Sequence, residues 1–415
     1  MMWKRYGRRS CLAGVLILLL FSIGCSDRST IATEHGNNWP TISSGGTEST
    51  AKEVDGTEAE GDGTKTEDKA EISLVMVGDV LLHDDVEASC KSADGSYDFH
   101  SLFSQVKVAV SEADLALVNQ EVILGGEELG ISGYPNFNAP YEVGDALVDT
   151  GFNVILHGTN HALDKGGAGI TNCLNYWKTH HPDTAILGIN DSQASQDQIY
   201  VCEQSGMRIA ILNYTYGTNG IPLPADMPYA VNYLNKERIE SDLKRANELA
   251  DFVIVCPHWG TEYLLTVDSD QQYWTNLFIQ NGVDLVIGTH PHVIEPVKWV
   301  SDTATGNKML VYDSLGNFIS WTAQTGAGVS NRMVGGMAQV TIGRDAEGNV
   351  GITDYGVRAI VCHLADNPKQ VTGYFLADYT EALASQNAIL SQDSAFSKQY
   401  CVDLCNQVWG ENNWK

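Results

Sequence analysis

The chain has 415 residues and a formal net charge of -27, with 52 acidic and 25 basic side chains. This charge argues against a protein that binds nucleic acid through a basic surface, and against electrostatic adhesion to anionic lipid. Nine cysteines are present, but none forms the paired CxxC spacing of a zinc site, so a thiolate metal centre is not expected.

The N-terminus predicts an export signal with a lipid anchor. Basic residues precede the apolar segment 12–23, which is too short for a comfortable membrane span but suits the hydrophobic region of an export signal. Cys25 follows Gly24, and this resembles a bacterial lipoprotein signal, in which a cysteine after a small residue is lipidated. Ser22 stands where such signals usually have Leu, which leaves simple secretion and an uncleaved anchor as alternatives. We expect residues 1–25 to attach the chain to the extracytoplasmic face of the cell membrane.

Residues 26–70 are rich in Ser, Thr, Gly, Glu and Asp and contain almost no aliphatic side chains. Such a segment cannot bury enough apolar surface to offset its ordering entropy, so we expect an acidic, disordered tether. The remainder, 71–415, is long for one domain but compatible with a large α/β enzyme. We expect a core at 71–365 and a C-terminal helical extension at 366–415.

Strand-like and helix-like segments alternate from residue 71 onward, which predicts a largely parallel sheet with helical connections. The predicted helices are 143–150, 169–181, 236–250 and 269–281. A hairpin is predicted where strand-like 201–204 and 208–213 flank Ser205 and Gly206. Three later strand-like segments, 309–312, 337–342 and 351–361, follow without intervening helices. We expect these three to be antiparallel strands that complete a second sheet.

Five apolar segments each end in side chains that can bind a metal ion. They are 71–83 with Asp79 and His83, 112–121 with Glu121, 151–161 with Asn160 and His161, 251–260 with His258, and 282–293 with His290 and His292. Ligands of an open α/β sheet bind beyond the carboxyl ends of its strands. The five endings therefore predict one shared site.

The candidate ligands combine oxygen and nitrogen donors without sulfur. They are Asp79, Glu121, Asn160, His258, His290 and His292. This mixed set suits Mn, Fe or Zn better than Mg, which prefers oxygen ligands. Six candidates are enough for two divalent ions that share a carboxylate, an arrangement that acts on phosphoryl or carbonyl centres. His161, adjacent to Asn160, would then be the general acid for the leaving group; the alternative is a hydrogen-bonded surface histidine.

Six motifs lie in order between Gly78 and Phe318. They are GD at 78–79, NQE at 119–121, TNHALDKG at 159–166, HWGTEY at 258–263, GTHPHVIEP at 288–296 and YDSLGNF at 312–318. Together they resemble the bacterial capsule synthesis family, the CapA type of poly-γ-glutamate synthesis protein within the calcineurin-like metallophosphatase superfamily. The resemblance implies an α/β fold: a metallophosphatase-like, four-layer sandwich of two mixed β-sheets flanked by helices, with a dinuclear metal site at one edge.

The same resemblance implies a role for each matching residue. It assigns Asp79 and His292 to the first metal, Asn160, His258 and His290 to the second, and Glu121 to the bridging position. His161 matches the catalytic histidine. Asp164 and Glu262 fit the motifs as partners that orient the histidines. His83 departs from the superfamily pattern, because it stands four residues after Asp79 rather than two, and is a candidate metal or substrate contact.

These inferences predict an exported, membrane-tethered, metal-dependent hydrolase or transferase of the CapA type. It would act on an anionic polymer or its precursor in poly-γ-glutamate capsule synthesis, export or anchoring, beside membrane-bound polymer synthase subunits. Two alternatives remain. One is a metal-dependent phosphoesterase with a small phosphate ester as substrate, and the other is a nonenzymatic accessory subunit of a polymer synthase.

Overall fold

The computed structural model describes residues 32–34, 71–366 and 369–415. The predicted export signal with Cys25, and most of the predicted tether, lie outside the described residues. Both stay predictions. Among the residues that the structure describes, no helix has the length and apolar character needed to cross a membrane.

The described residues form fifteen strands and ten α-helices. The strands are β1 (Ala32–Glu34), β2 (Glu71–Val80), β3 (Leu115–Gln120), β4 (Val154–Leu156), β5 (Ala185–Leu187), β6 (Tyr200–Gln204), β7 (Met207–Thr215), β8 (Phe252–His258), β9 (Leu285–Ile287), β10 (Val297–Ser301), β11 (Lys308–Tyr312), β12 (Asn317–Ile319), β13 (Val334–Arg344), β14 (Val350–Asp366) and β15 (Lys369–Phe375). The helices are α1 (Asp84–Cys90), α2 (His100–Phe103), α3 (Lys107–Ser111), α4 (Glu142–Thr150), α5 (Gly166–His180), α6 (Gln193–Gln196), α7 (Lys236–Leu249), α8 (Ser269–Gln280), α9 (Glu381–Ala384) and α10 (Lys398–Trp409), with 3₁₀ turns at Glu127–Leu129, Val329–Met333 and Ala388–Ser391.

The strands form two mixed sheets. One has the order β1-β10-β11-β9-β8-β7-β6, and the other has the order β15-β14-β13-β2-β3-β4-β5, with β12 paired to β2. Strands β2 to β5 are parallel in one sheet, and β7, β8, β9 and β11 are parallel in the other. The predicted α/β fold with two mixed sheets flanked by helices is confirmed.

The two sheets pack face to face, as the alternation of side chains along β8 shows. Ile254 and Cys256 belong to the apolar core between the sheets, and the Cys256 sulfur lies 3.9 Å from the sulfur of Met76 in β2. Val253 and Val255 point the other way, into a second apolar cluster formed with α7 and α8. A strand that is buried on both faces in this way reads as a continuous apolar run.

Helices also cover the eight-stranded sheet. Phe103 of α2 stacks on Phe318 of β12 with ring centroids 5.7 Å apart, and its edge meets Phe152 at 6.5 Å. Helix α4 packs beside α2 and α3. Helix, sheet, sheet and helix thus form successive layers, and the strand ends lie at the rim.

The predicted helices and hairpin occur with small differences at their ends. Helix α8 begins where a capping box forms: Asp268 accepts hydrogen bonds from the backbone N–H groups of Asp270 and Gln271, and the Gln271 side chain returns a bond to the Asp268 backbone. Helix α4 ends at Gly151, whose φ of 115° suits glycine at the position after a helix. Local signals therefore locate these elements well.

Two expectations need correction. The segment 309–312 does not join 337–342 and 351–361 in a second sheet; it is β11, parallel to β9 in the seven-stranded sheet. Strand β10 lies between β9 and β11 in the sequence and is antiparallel to β11. The chain therefore reaches a strand parallel to β9 without a connecting helix. The predicted C-terminal helical extension begins with a strand, β15, which pairs with β14 and buries alternate residues.

The end of β2 lies against the loop before β12. A Cβ atom on Gly78 would lie 1.9 Å from the Gly316 carbonyl oxygen. We therefore expect Gly78→Ala to lower the free energy of unfolding by about 1–3 kcal/mol, the usual cost of overpacking, as measured by urea denaturation. The matched control is Gly351→Ala, because a Cβ on Gly351 meets no atom within 4 Å. Equal unfolding midpoints for the two variants would contradict this close packing.

Candidate metal centre

The carboxyl ends of strands from both sheets meet at one buried cluster. Asp79 lies near the end of β2, Glu121 follows β3, Asn160 follows β4, His258 ends β8, and His290 and His292 follow β9. All six side chains are buried. The structure therefore brings these six candidate ligands together at one place.

Two of the three groups of potential ligand atoms among the described residues share one carboxylate. Asp79, Glu121 and His292 form one group, and Glu121, His258 and His290 form the other; the atoms of each group lie within 4.8 Å of one another. This division agrees with the one that the family resemblance implies. The metal-binding roles themselves stay predictions.

The donor set fits a divalent cation. Both carboxylate oxygens of Glu121, and Nδ1 of His290, are buried without a hydrogen-bond partner among the described residues. Buried polar atoms of this kind are costly unless they are paired or bind an ion. Carboxylate oxygens with imidazole nitrogens are the ligands that Mn, Fe and Zn accept.

Hydrogen bonds orient the group around Asp79. Its Oδ2 lies 3.1 Å from Nδ1 of His292, and its Oδ1 accepts a bond of 2.9 Å from Nδ2 of Asn119. His292 Nδ1 also lies 3.1 Å from Oδ1 of Asn317. These contacts leave Nε2 of His292 facing Glu121, with 3.8 Å between Nε2 and Oε1.

The second group is oriented in the same manner. His258 Nδ1 lies 3.1 Å from the hydroxyl of Thr289, and Nε2 lies 2.9 Å from Oδ1 of Asn160 and 3.6 Å from Oε1 of Glu121. The ring centroids of His258 and His290 are 4.7 Å apart. The imidazoles of His258 and His290 therefore lie beside Glu121, and the Asn160 amide contacts His258.

The His290-Pro291-His292 turn brings two imidazoles together, as the sequence predicted. His290 has a φ of 100° and His292 a φ of 57°, so both occupy the left-handed region that side chains other than glycine rarely adopt. Their ring centroids are 5.9 Å apart. Backbone strain of this kind is concentrated at functional sites.

The cluster stabilises negative charge on Glu121. Burial acts to raise the pKa of Glu121, but the charges of His292 and His258 outweigh it and hold that pKa well below its ordinary value. Burial and the nearby Glu121 charge raise the pKa of Asp79. Burial would lower the pKa of His292, yet Glu121 and Asp79 raise it to about 9. A metal ion would displace the proton of His292, as metal binding generally does.

His161 lies beside this cluster and is held by Asp164. Its Nδ1 lies 2.7 Å from Oδ2 of Asp164, which also accepts a bond of 2.7 Å from the backbone N–H of Phe137. The Phe137 ring meets the His161 ring edge to face at 4.6 Å. Both side chains are buried, so the orientation of the imidazole is fixed.

His83 and Glu262 differ in their relation to the cluster. His83 belongs to none of the potential ligand groups of the described residues; it packs on Phe137 at 5.1 Å, and burial together with His292 lowers its pKa to about 4. Glu262 is exposed, and its carboxylate lies within 4.8 Å of ligand atoms of His290 and His292. Glu262 therefore reaches the cluster directly rather than from behind the histidines.

Sequence reasoning missed the residues contributed by the loop after β7. The Tyr216 ring lies 4.6 Å from that of His290, and Oδ1 of Asn219 accepts a bond of 3.3 Å from Asn160. Strand β7 is also an apolar strand of the parallel set. Its ending, YGTNG, could have been added to the five endings, since it too supplies polar side chains.

A buried acid lies behind the histidine turn. Glu295 is buried and accepts one hydrogen bond of 2.6 Å from Gln271, and burial raises its pKa to about 8. An acid with a raised pKa contributes stability that is fully present below its unfolded value and is lost as pH rises through the folded value. We expect the wild type to lose on the order of 3 kcal/mol of unfolding free energy between pH 5 and 8 through this group.

The measurement is urea unfolding between pH 5 and 8 for the wild type and Glu295→Gln. A glutamine keeps an oxygen for the Gln271 bond and carries no charge, so this variant is expected to have a flatter pH profile. Glu347→Gln, at an exposed turn, is the matched control and is expected to follow the wild type. A Glu295→Gln profile as steep as that of the wild type would contradict the assignment.

The family of the chain follows from comparison with known proteins. A family model described as "Bacterial capsule synthesis protein PGA_cap" matches residues 73–322, more than half of the chain. The chain belongs to this family. All six candidate ligands and His161 lie within the matched residues, and the family predicted from the motifs is confirmed.

Individual proteins are similar to parts of this capsule synthesis family member. The PGA biosynthesis protein CapA of Bacillus subtilis (strain 168) is 29% identical over 189 residues, 42% of this chain and 45% of that protein. The capsule biosynthesis protein CapA of Bacillus anthracis is 24% identical over 270 residues, 62% of each chain. The similarity thus spans roughly half of the length of these relatives. Among solved structures, the NAD nucleotidase of Haemophilus influenzae has a TM-score of 0.42 at 12% identity, over 83% of this chain and 63% of that one.

Proposed function

We propose that this capsule synthesis protein is an exported, membrane-tethered, metal-dependent enzyme. It acts on an anionic polymer or its precursor during the synthesis, export or anchoring of a poly-γ-glutamate capsule. The observation that carries the proposal is the buried, unpartnered carboxylate of Glu121, which two groups of candidate ligands share. The names of the Bacillus relatives, which refer to PGA and capsule biosynthesis, support the choice of polymer.

The residues that would hold two divalent ions divide as the cluster divides. Asp79, Glu121 and His292 would hold one ion, and Glu121, Asn160, His258 and His290 the other. The donor chemistry favours Mn, Fe or Zn. When bound, such a pair supplies Lewis-acid stabilisation of charge that develops on phosphoryl or carbonyl oxygens.

His161 supplies the proton in this proposal. Asp164 accepts a hydrogen bond from Nδ1, which assigns the proton to that atom in the neutral ring. Nε2 is then the atom that exchanges a proton with the leaving group, and a positioned imidazole contributes about 10²- to 10⁴-fold to rate in general acid–base catalysis. The buried Asp164 also keeps the imidazole in one orientation.

The proposed location gives a role to residues 1–70, which precede the core. Residues 1–25 would direct export, Cys25 would carry the lipid, and residues 26–70 would separate the core from the membrane. At the membrane, the partners of the protein would be membrane-bound polymer synthase subunits. A chain with a net charge of -27 repels a polyanion, so attraction must come from local cations, and the metal centre is one source. Replacement of His290 by Ala is therefore expected to weaken polymer binding.

A second candidate is a phosphoesterase that hydrolyses a small phosphate ester. The donor set and His161 favour it, because this chemistry needs no polymer groove. The test is turnover by the purified full chain, with Mn²⁺ or Zn²⁺ added, of a chromogenic phosphodiester and of γ-linked glutamate oligomers. Metal-dependent turnover of the oligomer supports the capsule enzyme, and turnover of the phosphodiester alone supports the phosphoesterase. A folded chain that binds no metal and turns over neither compound contradicts both and favours an accessory subunit.

A further inference from the structure

An arginine at the rim of the metal centre has no part in the function proposed above. Arg332 lies in the 3₁₀ turn Val329–Met333, beyond the residues that the family model matches. Its guanidinium carbon is 3.5 Å from the centroid of the Tyr263 ring. That centroid is 6.0 Å from the centroid of the His292 ring. One aromatic side chain therefore links Arg332 to a candidate metal ligand.

The same groups position Arg332 and the cluster. The backbone N–H of Tyr263 donates a bond of 2.8 Å to the carbonyl oxygen of Pro291, inside the histidine turn. Nδ2 of Asn317 donates a bond of 3.0 Å to the Arg332 carbonyl oxygen, while its Oδ1 lies 3.1 Å from Nδ1 of His292. A change in the position of Arg332 would therefore shift the cluster, and a change in the cluster would shift Arg332.

The guanidinium has no acidic partner in the described part of the chain. Nη1 donates to the hydroxyl of Thr322 at 3.2 Å and Nη2 to the amide oxygen of Gln324 at 2.7 Å, and both acceptors are neutral. Nε is buried without a partner. Other arginines of the chain form ion pairs with aspartates, namely Arg208, Arg238 and Arg245. Arg332 thus keeps N–H donors and forms no ion pair within the described residues.

The positive charge of Arg332 can attract an anion to a chain that is acidic overall. Burial lowers the pKa of Arg332, while Tyr263 and Glu262 act in the opposite direction, and a guanidinium remains protonated at physiological pH. The chain as a whole carries a net charge of -27. A fixed cation next to the cluster therefore provides attraction for an anion at the place where the rest of the chain repels it.

We propose that Arg332, held flat against Tyr263, is an anion-recognition residue that binds a carboxylate or phosphate group of the substrate. The planar guanidinium presents a fork of donors that matches either group. This inference rests on the proposed function and narrows its substrate class to compounds that carry a second anionic group beside the one that reacts. A γ-linked glutamate chain has this property, because each residue keeps a free carboxylate.

The experiment is calorimetric titration of the full chain, in buffer that contains Mn²⁺, with tri-γ-glutamate and separately with inorganic phosphate. The variants are Arg332→Gln, Arg332→Lys and the matched control Arg344→Gln, which removes a half-buried arginine bonded to backbone carbonyls. We expect Arg332→Gln to weaken binding of at least one anion by about 10- to 100-fold. The anion for which the variant loses affinity identifies the group that Arg332 recognises. Arg344→Gln is expected to bind both as the wild type does.

Unchanged affinity of Arg332→Gln for both anions would overturn the proposal. If Arg332→Gln does not fold, Arg332→Lys decides, because it keeps the stem and the charge but not the fork: we expect at least about a 3-fold loss for tri-γ-glutamate, and no loss overturns the proposal. Metal content measured in the same samples reports separately on the proposed function. A metal-free chain in which Arg332→Gln still loses anion affinity refutes the metal centre and leaves the arginine site standing.

Discussion

Glu121→Gln is expected to lower the affinity of the chain for divalent metal by at least about 100-fold, more than the 10- to 100-fold typical of residues that only orient ligands. The glutamine has nearly the same shape, but it lacks the negative charge and presents an N–H₂ group where a second oxygen stood. Because both groups of candidate ligands include this carboxylate, one substitution affects both. The measurement is titration with Mn²⁺ or Zn²⁺, followed by calorimetry.

The control for this prediction is Glu127→Gln, which removes an equal charge from an exposed 3₁₀ turn. It is expected to bind metal as the wild type does. If the chain held two independent metal sites and only one of them used Glu121, the Glu121 variant would lose only one of its two bound ions. That outcome would contradict a shared carboxylate.

His161→Gln is expected to reduce kcat by about 10²- to 10⁴-fold, the contribution of a general acid, while metal content stays that of the wild type. His161 lies outside both groups of candidate ligands, so its loss removes a proton donor and not a metal ligand. The measurement is turnover of a chromogenic phosphodiester and of a γ-linked glutamate oligomer, with metal analysis of the same protein.

A pair of variants sharpens this prediction. Asp164→Asn leaves the imidazole in place but replaces the carboxylate at Nδ1, so we expect a smaller loss of kcat than in His161→Gln. His100→Ala removes an exposed histidine that contacts Asp98 and Asp149, and it is expected to leave turnover unchanged. Equal activity of His161→Gln and His100→Ala would refute the role of His161.

The strand endings made the cluster predictable from the sequence. A parallel strand that is buried on both faces is a short apolar run, and the polar residues that follow it must lie at the carboxyl edge of the sheet. Asp79, Glu121 and His258 each follow or end such a run, and all three lie in the cluster. Local signals also located the long helices, since caps such as Asp268 act within one turn.

The distribution of strands between the two sheets was harder to predict from the sequence. Strand endings alone suggested one sheet, but β2, β3 and β4 belong to one sheet and β8 and β9 to the other. Strand β11 has the same apolar character as a strand of either sheet, and only its pairing with β9 and β10 assigns it. Long-range pairing of this kind leaves no local signal in the sequence.

The rim of the site was missed for a related reason. Arg332 is a single polar residue in a 3₁₀ turn, with no apolar run before it to mark a strand end, whereas Asn219 follows the apolar strand β7 but lies four residues beyond its end. Their position beside the cluster depends on contacts with Tyr263 and Asn160 that are distant in sequence. Such residues become visible only when the fold brings the segments together.

We propose that this fold holds two divalent ions around Glu121, and metal analysis of the purified full chain tests this proposal. The samples are the wild type, His292→Ala and His100→Ala, each after exposure to Mn²⁺ or Zn²⁺ and removal of the excess. We predict about two ions per chain in the wild type and in His100→Ala, with fewer ions and no turnover in His292→Ala. A folded wild-type chain that retains no metal, or a His292→Ala chain that retains as much as the wild type, would contradict the account.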